Sequence, residues 1–323
     1  MPIVPRVLIA ILGPTATGKS ALGISLAERF NGEIINCDST AVYRGFDIGT
    51  DKVPLEQRRG IPHHLIDIAD PTDEYTAAQF GRDAAAVVDD IHARGRLPIL
   101  VGGTGLYYRA LTRGLFPGPG KDAKLRARLE KIAARKGVET LHRMVTRVDP
   151  GSGARIQPRD LKRLVRALEV YFQTGRPLTA HFEDTVSPLA ADVHVGAIAL
   201  RMPALWLAER LAKRVDEQFD SGLIDEIRTL LAAGVPPDAR PFGGLVYRQA
   251  MDYLNGVRSE AATRELIAQQ NRKYARRQLI WFRKEPNLVW FDGPGTNAEV
   301  QDSVIRELTA RDLLKDGRHV ADT

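Results

Sequence analysis

The segment Gly13–Ser20 constrains this chain more than any other, because it fits G-x-x-x-x-G-K-[ST] at each fixed position. It follows the apolar run 7–12, which is typical of a buried strand, and precedes a helical pattern at 21–27. Glycines at these positions let backbone N–H groups converge on phosphate oxygens, and the helix dipole adds positive charge there. The pattern therefore predicts a phosphate-binding loop, with Lys19 on the outer phosphate and the Ser20 hydroxyl on Mg²⁺.

Two further strand ends carry polar groups. A strand predicted at 33–37 ends at Asp38, and ligands gather at the carboxyl ends of strands in open α/β sheets. An Asp-Ser pair in this position is also typical of an Asx turn or a helix cap, so both interpretations stay open. A strand predicted at 97–101 is followed by the glycine turn 102–105, which is suited to present amides to an anion and the Thr104 hydroxyl to a substrate. A plain tight turn between a strand and a helix is the alternative, so this interpretation also stays open.

The middle of the chain differs in character. After a Gly-Pro-Gly linker it has few β-branched runs, and we predict charged amphipathic helices at 122–136, 139–148 and 160–174. We interpret residues 118–187 as an all-helical lobe inserted into an α/β core made of residues 1–117 and 188–323. The third of these helices carries a cluster of cations, for which a solvated face is the default interpretation.

A long helix is predicted at 259–284, and its second half carries six cations on one side. These cations are Arg272, Lys273, Arg276, Arg277, Arg283 and Lys284. Two aromatic residues, Tyr274 and Trp281, are interleaved with them, while Leu279, Ile280 and Phe282 can pack. A basic stripe of this kind indicates nucleic-acid binding, and a merely solubilising face is the alternative.

The composition limits which partners, cellular compartments and membrane associations are expected for this chain. The formal net charge of +6 makes a polyanionic partner plausible without requiring one. The single cysteine, Cys37, excludes an internal disulfide and suits a reducing cytoplasm. Since no apolar run approaches the ~20 residues of a membrane span, and the first strand begins within a few residues, we expect neither a membrane segment nor a signal peptide. The pair His63-His64 lacks a third ligand at useful spacing, so we interpret it as structural.

A phosphate-binding loop makes a kinase or another nucleotide-binding enzyme the default class. No apolar run ends in Asp-Glu, no tandem motor domain is present and no arginine-finger module is evident, which together weigh against a motor-type NTPase. A small-molecule kinase that uses ATP remains open.

Several sequence blocks together resemble the tRNA dimethylallyltransferases. In the family's order they are Gly13–Ser20, Cys37–Ser39, Tyr43–Thr50, His63–Asp67, Val101–Tyr107, Arg163–Val170 and Tyr247–Gln249. They span about residues 7–290, and as a set they are far more specific than the phosphate-binding motif alone. Ala41 and Val246 depart from the family, which often has Gln and Gly at these positions.

The resemblance implies a P-loop NTPase-like parallel sheet with an inserted helical lobe and C-terminal basic helices. It implies transfer of a dimethylallyl group from dimethylallyl diphosphate to N6 of the adenosine 3′-adjacent to the anticodon. The catalytic residues that it points to are Asp38 as base, Thr104 near the reacting centre and Arg214 on the diphosphate. The diphosphate would bind to Gly13, Pro14, Thr15, Ala16, Thr17, Gly18, Lys19 and Ser20, with Mg²⁺ on Ser20.

The resemblance also implies that the helical lobe and the basic helices grip the anticodon stem-loop. The implied tRNA contacts are Asp38, Ser39, Thr40, Ala41, Arg126, Lys162, Arg163, Leu164, Val165, Arg166, Gly243, Gly244, Leu245, Val246, Tyr247 and Arg248. Arg276 and Arg277 of the basic stripe are added from the charge pattern. We expect a cytoplasmic monomer. A prenyltransferase of free adenine nucleotides, an ATP-dependent kinase and a nucleotide-regulated RNA-binding protein are the alternatives.

Overall fold

The computed structural model describes residues 6–314, and within them six strands form one parallel sheet. The strands, labelled β1 to β6 in chain order, are Arg6–Leu12, Gly32–Cys37, His63–His64, Leu97–Gly102, Val193–Arg201 and Val289–Asp292. Their order across the sheet is β3-β2-β4-β1-β5-β6. The carboxyl ends of β1, β2 and β4 are therefore neighbours, and the predicted parallel α/β core is confirmed.

The described residues also contain the α-helices α1 to α13. In chain order these are Lys19–Arg29, Ala77–Ala93, Gly105–Thr112, Ala123–Lys136, Val138–Val148, Pro150–Arg155, Leu161–Thr174, Leu178–His181, Ala204–Asp220, Leu223–Ala232, Leu245–Leu254, Glu260–Phe282 and Ala298–Ala310. Short 3-10 helices occupy Leu55–Arg58, Phe182–Asp184 and Arg240–Gly243. The predicted helix boundaries mostly lie within two residues of these, and Thr76 and Gln79 form a capping box before α2.

The sheet is buried on both faces, as an all-parallel sheet requires. Even-numbered residues of β1 enter one apolar cluster and odd-numbered residues the other, because side chains alternate along a strand. Phe80 of α2, Tyr247 of α11 and Phe282 of α12 cover the first face. Leu22 of α1 and Val304 of α13 cover the second. Elements that are distant in the chain thus meet around the same strand ends.

The described chain forms two compact units. Unit 1 comprises residues 6–112 and 188–314, and unit 2 comprises Arg113–Ser187. Unit 2 includes residues 113–117, which the sequence pattern assigns to the core. A Cβ on Gly114 would lie 1.9 Å from the carbonyl oxygen of Val186, so these two segments of unit 2 are in direct contact.

Unit 2 is helical and has its own apolar core, to which Leu129, Leu141, Leu164 and Leu168 contribute. Its helix α6 was not predicted, because the glycines in Pro150–Arg155 oppose helix formation. The side chain of Asp149 offsets this by accepting a hydrogen bond from the N–H of Ser152 at 2.9 Å, which caps the helix.

Candidate active site

The glycine loop (residues 13–20) joins the end of β1 to the first turn of α1. Its first and last glycines are required by geometry. Gly13 has φ +130°, and a Cβ there would lie 2.5 Å from the carbonyl oxygen of Leu200. Gly18 has φ +82° and lies against the backbone of Gly295, so a side chain is excluded there also. The loop therefore presents bare backbone at the start of a helix.

Lys19 folds back over the glycine loop. Its Nζ donates to the carbonyl oxygen of Pro14 at 2.6 Å, and the Thr17 hydroxyl donates to the same oxygen at 2.9 Å. Burial and the positive charge of Arg214 lower the pKa of Lys19 to about 7, although the carboxylate of Asp38 acts in the opposite direction. An anion bound beside Lys19 would stabilise its charged form.

A cavity of about 190 Å³, here called the loop cavity, opens beside these groups. Its polar wall includes Lys19, Ser20, Asp38, Asp51 and Arg214. Its apolar wall includes Ile34, Ile66 and Val101. The three residues that the resemblance named for the diphosphate and the base, Lys19, Arg214 and Asp38, therefore share one cavity within unit 1.

Helix α9 supplies two arginines to the glycine loop. Nη1 of Arg214 donates to Thr15 Oγ1 at 2.9 Å and to Asp51 Oδ2 at 3.0 Å. One turn earlier, Nε of Arg210 donates to the carbonyl oxygen of Ala16 at 2.9 Å. Cations placed in this way raise the positive potential around the loop.

Asp38 follows β2 and forms an Asx-type turn, as one of the two interpretations proposed. Its Oδ1 accepts from the N–H of Thr40 at 2.8 Å and from the Thr40 hydroxyl at 2.6 Å. The same side chain also lines the loop cavity. In the part of the chain that the structure describes, the hydrogen bonds to this carboxylate fall on Oδ1. The turn thus fixes the carboxylate and leaves Oδ2 for another partner.

Thr104 lies at the end of the neighbouring strand β4. Its N–H donates to the carbonyl oxygen of Cys37 at 3.1 Å, and its Oγ1 accepts from the N–H of Ser39 at 3.1 Å. Gly102 permits this approach, because a Cβ there would lie 2.2 Å from the Cys37 oxygen. Burial raises the pKa of the Cys37 thiol, which makes that group an inert neighbour.

Gln278 of α12 is a site residue that sequence reasoning missed. Its Oε1 accepts from the N–H of Thr15 at 2.9 Å, and its Nε2 donates to the carbonyl oxygen of Gly103 at 2.9 Å. One buried amide thus joins the glycine loop to the second glycine turn. The available signal was periodicity, because Asn271, Ala275, Gln278 and Phe282 form the buried side of the helix, where an amide requires partners.

A second cavity, of about 350 Å³, opens beside Thr40, the residue that closes the Asp38 turn. Ser39, Thr40, Thr104, Gly243 and Gly244 are among its lining residues. The structure therefore brings together residues from two separate blocks that were predicted to contact tRNA, 38–41 and 243–248, with Thr104, which was predicted to lie near the reacting centre.

The block 245–248 is mixed in exposure. Arg248 is exposed, whereas Val246 and Tyr247 are buried. The Tyr247 hydroxyl donates to Glu226 Oε1 at 2.5 Å and accepts from the N–H of Gly49 at 3.0 Å. Burial and the carboxylate of Glu226 raise the pKa of Tyr247, so this phenol stays neutral. Its two hydrogen bonds connect α10 with the segment that carries Gly49. Its side chain lies inside unit 1, away from any surface contact.

The six cations of the basic stripe on α12 and just after it are all exposed. The guanidinium of Arg277 lies over the ring of Tyr274, 5.6 Å from its centroid. The expectation that Ile280 packs is wrong, because its side chain is 45% exposed, while Phe282 takes the inward position. The exposed face that carries the cations therefore also exposes one apolar side chain, that of Ile280.

In unit 2, Arg126 and Arg166 share one buried carboxylate. Arg126 contacts both oxygens of Glu169 at 2.7 Å, and Nη1 of Arg166 donates to Oε2 at 2.7 Å. These partners lower the pKa of Glu169 to about 2 in spite of its burial, which alone would raise it. The other predicted contacts here are divided: Lys162 and Arg163 are exposed, whereas the side chains of Leu164 and Val165 lie in the core of unit 2.

The paired histidines have separate partners. His63 Nδ1 lies 2.8 Å from the carbonyl oxygen of Ile61, and His64 Nε2 lies 2.6 Å from Glu33 Oε2. Over residues 6–314 no group of three or more His, Cys, Asp and Glu side chains is arranged to hold a metal ion. Within the same residues, no helix is both long enough and apolar enough to cross a membrane.

Comparison with known proteins agrees with this geometry. A family model described as IPP transferase matches residues 41–285. A tRNA dimethylallyltransferase of Thermomicrobium roseum is 45% identical over 305 residues, covering 93% of this chain and 91% of the relative. Another, from Geobacter metallireducens, is 44% identical over 298 residues, covering 92% and 96%.

Solved structures give the same answer. The tRNA isopentenylpyrophosphate transferase of Bacillus halodurans is 38% identical, with a TM-score of 0.69, and the match covers 95% of this chain and 97% of that one. A eukaryotic dimethylallyltransferase acting on tRNA is 27% identical, with a TM-score of 0.75, covering 98% and 82%. The resemblance carried by the sequence blocks is confirmed, and this chain belongs to the IPP transferase family.

Proposed function

We propose that this protein transfers a dimethylallyl group from dimethylallyl diphosphate to N6 of the adenosine 3′-adjacent to the anticodon of tRNA, releasing diphosphate. The observation that carries the proposal is the loop cavity, in which the anion-binding groups Lys19 and Arg214 share one space with the carboxylate of Asp38. Kinship with tRNA dimethylallyltransferases supports the same reaction.

The glycine loop and its cations act on the leaving group. The allylic C–O bond breaks, and its electron pair passes to the diphosphate oxygen. Backbone amides at the start of α1, together with Lys19 and Arg214, stabilise the charge that develops on that oxygen. The apolar wall of Ile34, Ile66 and Val101 suits the five-carbon group and excludes water from the carbon centre.

Asp38 is the base in this mechanism. The N6 amine forms the new C–N bond and loses a proton, which the Asp38 carboxylate accepts. Thr40 holds Oδ1, so Oδ2 is the oxygen that we assign to the proton. The Thr104 hydroxyl lies beside the same turn, bonded to the N–H of Ser39, and we assign it to the contact with the substrate near the reacting centre.

The residues fit a magnesium ion bound together with the diphosphate. Mg²⁺ in phosphate sites commonly takes one or two protein oxygens and keeps several waters. Ser20 is exposed beside the loop cavity, so its hydroxyl would hold the ion, and the carboxylate of Asp38 adds negative charge to the same space. Bound there, Mg²⁺ would neutralise part of the charge on the diphosphate.

The adenine must leave its stack to react, since an anticodon-loop base cannot reach a cavity while stacked. The second cavity offers Ser39, Thr40 and Thr104 directly beside Asp38. The exposed cations Arg276 and Arg277 are suited to the phosphates of the stem-loop, which position the RNA. All these groups lie in unit 1, so the proposed site needs no residue from a second copy of the chain, which supports a monomer. A tRNA substrate supports action in the cytoplasm.

The test is to incubate the protein with Mg²⁺, unmodified tRNA and dimethylallyl diphosphate, and to measure nucleoside masses after digestion. Free AMP and ATP serve as parallel acceptors. We expect a five-carbon gain on one tRNA adenosine and none on the free nucleotides. Prenylation of AMP or ATP alone would establish a free-nucleotide enzyme instead, and phosphoryl transfer from ATP without any prenylation would establish a kinase.

A further inference from the structure

Asp51 makes contacts that the proposed mechanism does not use. It lies in the segment after β2 and has a left-handed backbone, with φ +55°. Its Oδ2 accepts from Nη1 of Arg214 at 3.0 Å, and its Oδ1 accepts from Nε2 of Gln218 at 2.9 Å. Arg214 and Gln218 are one turn apart on α9, so a single carboxylate holds two side chains of one helical face.

The segment that carries Asp51 is itself anchored. The ammonium of Lys52, with only 3% of its side chain exposed, donates to Asp47 Oδ1 at 2.7 Å and to the carbonyl oxygen of Tyr43 at 2.6 Å, and it also contacts Asp67. The N–H of Asp51 donates to the carbonyl oxygen of Ile48 at 3.1 Å. The carboxylate is therefore presented from a fixed backbone, as preorganisation of a charged neighbour requires.

The bonds at Arg214 are unevenly distributed over its nitrogens. Nη1 donates to Asp51 Oδ2 and also to Thr15 Oγ1, the latter at 2.9 Å. For residues 6–314, the hydrogen bonds of Arg214 all involve Nη1, so Nε and Nη2 are available to a ligand. A guanidinium has five N–H donors in a rigid fork, and fixing one nitrogen orients the other two.

The charges agree with this geometry. Lys19 and Arg214 are two cations on one cavity and repel each other, which is part of the reason for the lowered pKa of Lys19. The Asp51 carboxylate offsets that repulsion. An isolated surface ion pair would contribute little, but here both side chains are mostly enclosed, 27% and 34% exposed, and a second hydrogen bond holds the carboxylate.

We infer that Asp51 is the positioning residue for Arg214: it holds Nη1 against the glycine loop, so that Nε and Nη2 face the leaving diphosphate. This inference rests on the proposed function, in which Arg214 stabilises the diphosphate. Gln218 completes the arrangement by fixing the second oxygen of the carboxylate.

A double-mutant cycle tests the inference. Asp51→Ala, Arg214→Ala and the double variant are compared with the wild type in single-turnover prenyl transfer at saturating tRNA. We expect Asp51→Ala to slow transfer about tenfold when Arg214 is present and less than about twofold in the Arg214→Ala background, because coupled residues are non-additive. Equal losses in both backgrounds, or an unchanged rate in Asp51→Ala, would overturn the inference.

Two further variants control for poor folding of Asp51→Ala and for a non-specific effect of replacing an aspartate. Asp51→Asn keeps the volume but cannot accept from both donors, so we expect it to slow transfer and show the same dependence on Arg214 even if Asp51→Ala folds poorly. Asp225→Asn is the matched control, since Asp225 is an exposed aspartate of α10 that pairs with Arg228, and its rate should equal the wild-type rate.

Calorimetry with inorganic diphosphate and Mg²⁺ separates this inference from the proposed function. If the wild type transfers no prenyl group, the proposed function fails. The inference is then tested by binding: an effect of Asp51→Ala on diphosphate affinity that requires Arg214 supports it. An equal effect in both backgrounds refutes it.

Discussion

The backbone N–H of Thr15 in the glycine loop donates to Oε1 of Gln278, although the two residues are 263 positions apart in the sequence. The other end of the same amide donates to the carbonyl oxygen of Gly103. Helix α12 thus carries its cations on the exposed face and holds the glycine loop from the buried face. In the proposed reaction, one helix therefore contacts tRNA through its exposed face and positions the diphosphate-binding loop through its buried face.

Gln278→Leu should loosen the glycine loop. It keeps the approximate size but leaves the Thr15 N–H and the Gly103 carbonyl without a partner, which costs about 1–3 kcal/mol for each buried group. We expect a lower unfolding temperature and about a tenfold lower kcat/KM for dimethylallyl diphosphate, measured by thermal unfolding and steady-state kinetics. Gln269→Leu, on the exposed side of the same helix, should change neither. Equal behaviour of the two variants would reject a role for the amide.

Asp38→Asn should separate chemistry from binding. It retains an acceptor for Thr40 but no longer accepts the N6 proton, and a general base of this kind contributes about 100- to 10,000-fold. We expect kcat to fall within that range while tRNA affinity changes less than about threefold, as measured by single-turnover kinetics and filter binding. Asp302→Asn, an exposed change on α13, is the control. A defect confined to tRNA affinity would make Asp38 a contact residue only.

Arg276→Ala with Arg277→Ala should weaken tRNA binding without affecting diphosphate binding. Both side chains are exposed, and each cation that no longer neutralises a phosphate flattens the slope of log affinity against log salt by about 0.7–0.9. We expect roughly a tenfold loss of affinity at low salt, measured over a salt series. Replacing Arg306 and Arg311 with Ala, in and just after α13, changes the net charge equally and should leave the slope unchanged. If the slope of log affinity against log salt were the same in both double variants, the basic stripe would be a solubilising face and not a tRNA contact.

Glu169 should make the stability of the protein sensitive to acid. Its pKa is about 2 when folded, below the ordinary value of 4.5, so its contribution is complete above about pH 4.5 and is lost as the pH falls towards 2. Glu169→Gln breaks a pair that is buried on the carboxylate side, and we expect it to cost about 3 kcal/mol at pH 7. The difference in unfolding midpoint from the wild type should shrink between pH 5 and pH 2. Glu130→Gln, exposed on α4, should show no such trend.

Local pattern was sufficient to predict the glycine loop between a strand and a helix, the place of Asp38 just after β2, and most helices, because each depends on neighbours in the sequence. The apolar run before Gly13 and the helix after it already define a strand-loop-helix unit. In contrast, Gln278 and Asp51 act through partners more than 160 positions away, so their roles appear only when the sheet order is known. Helix α6 escaped prediction because its stability comes from the Asp149 cap and tertiary contacts rather than from propensity.

Strand order also has a consequence for how the chain is made. On the ribosome, β1 can pair with β4 early, but its other edge must wait for β5, which follows the whole of unit 2. An unpaired edge on an apolar strand is a template for pairing with other chains. Helices built from local contacts form faster than sheets built from distant ones. An insertion at this point therefore lengthens the interval in which β1 has an unpaired edge, and because the insert is helical it folds quickly and adds no strand edge of its own.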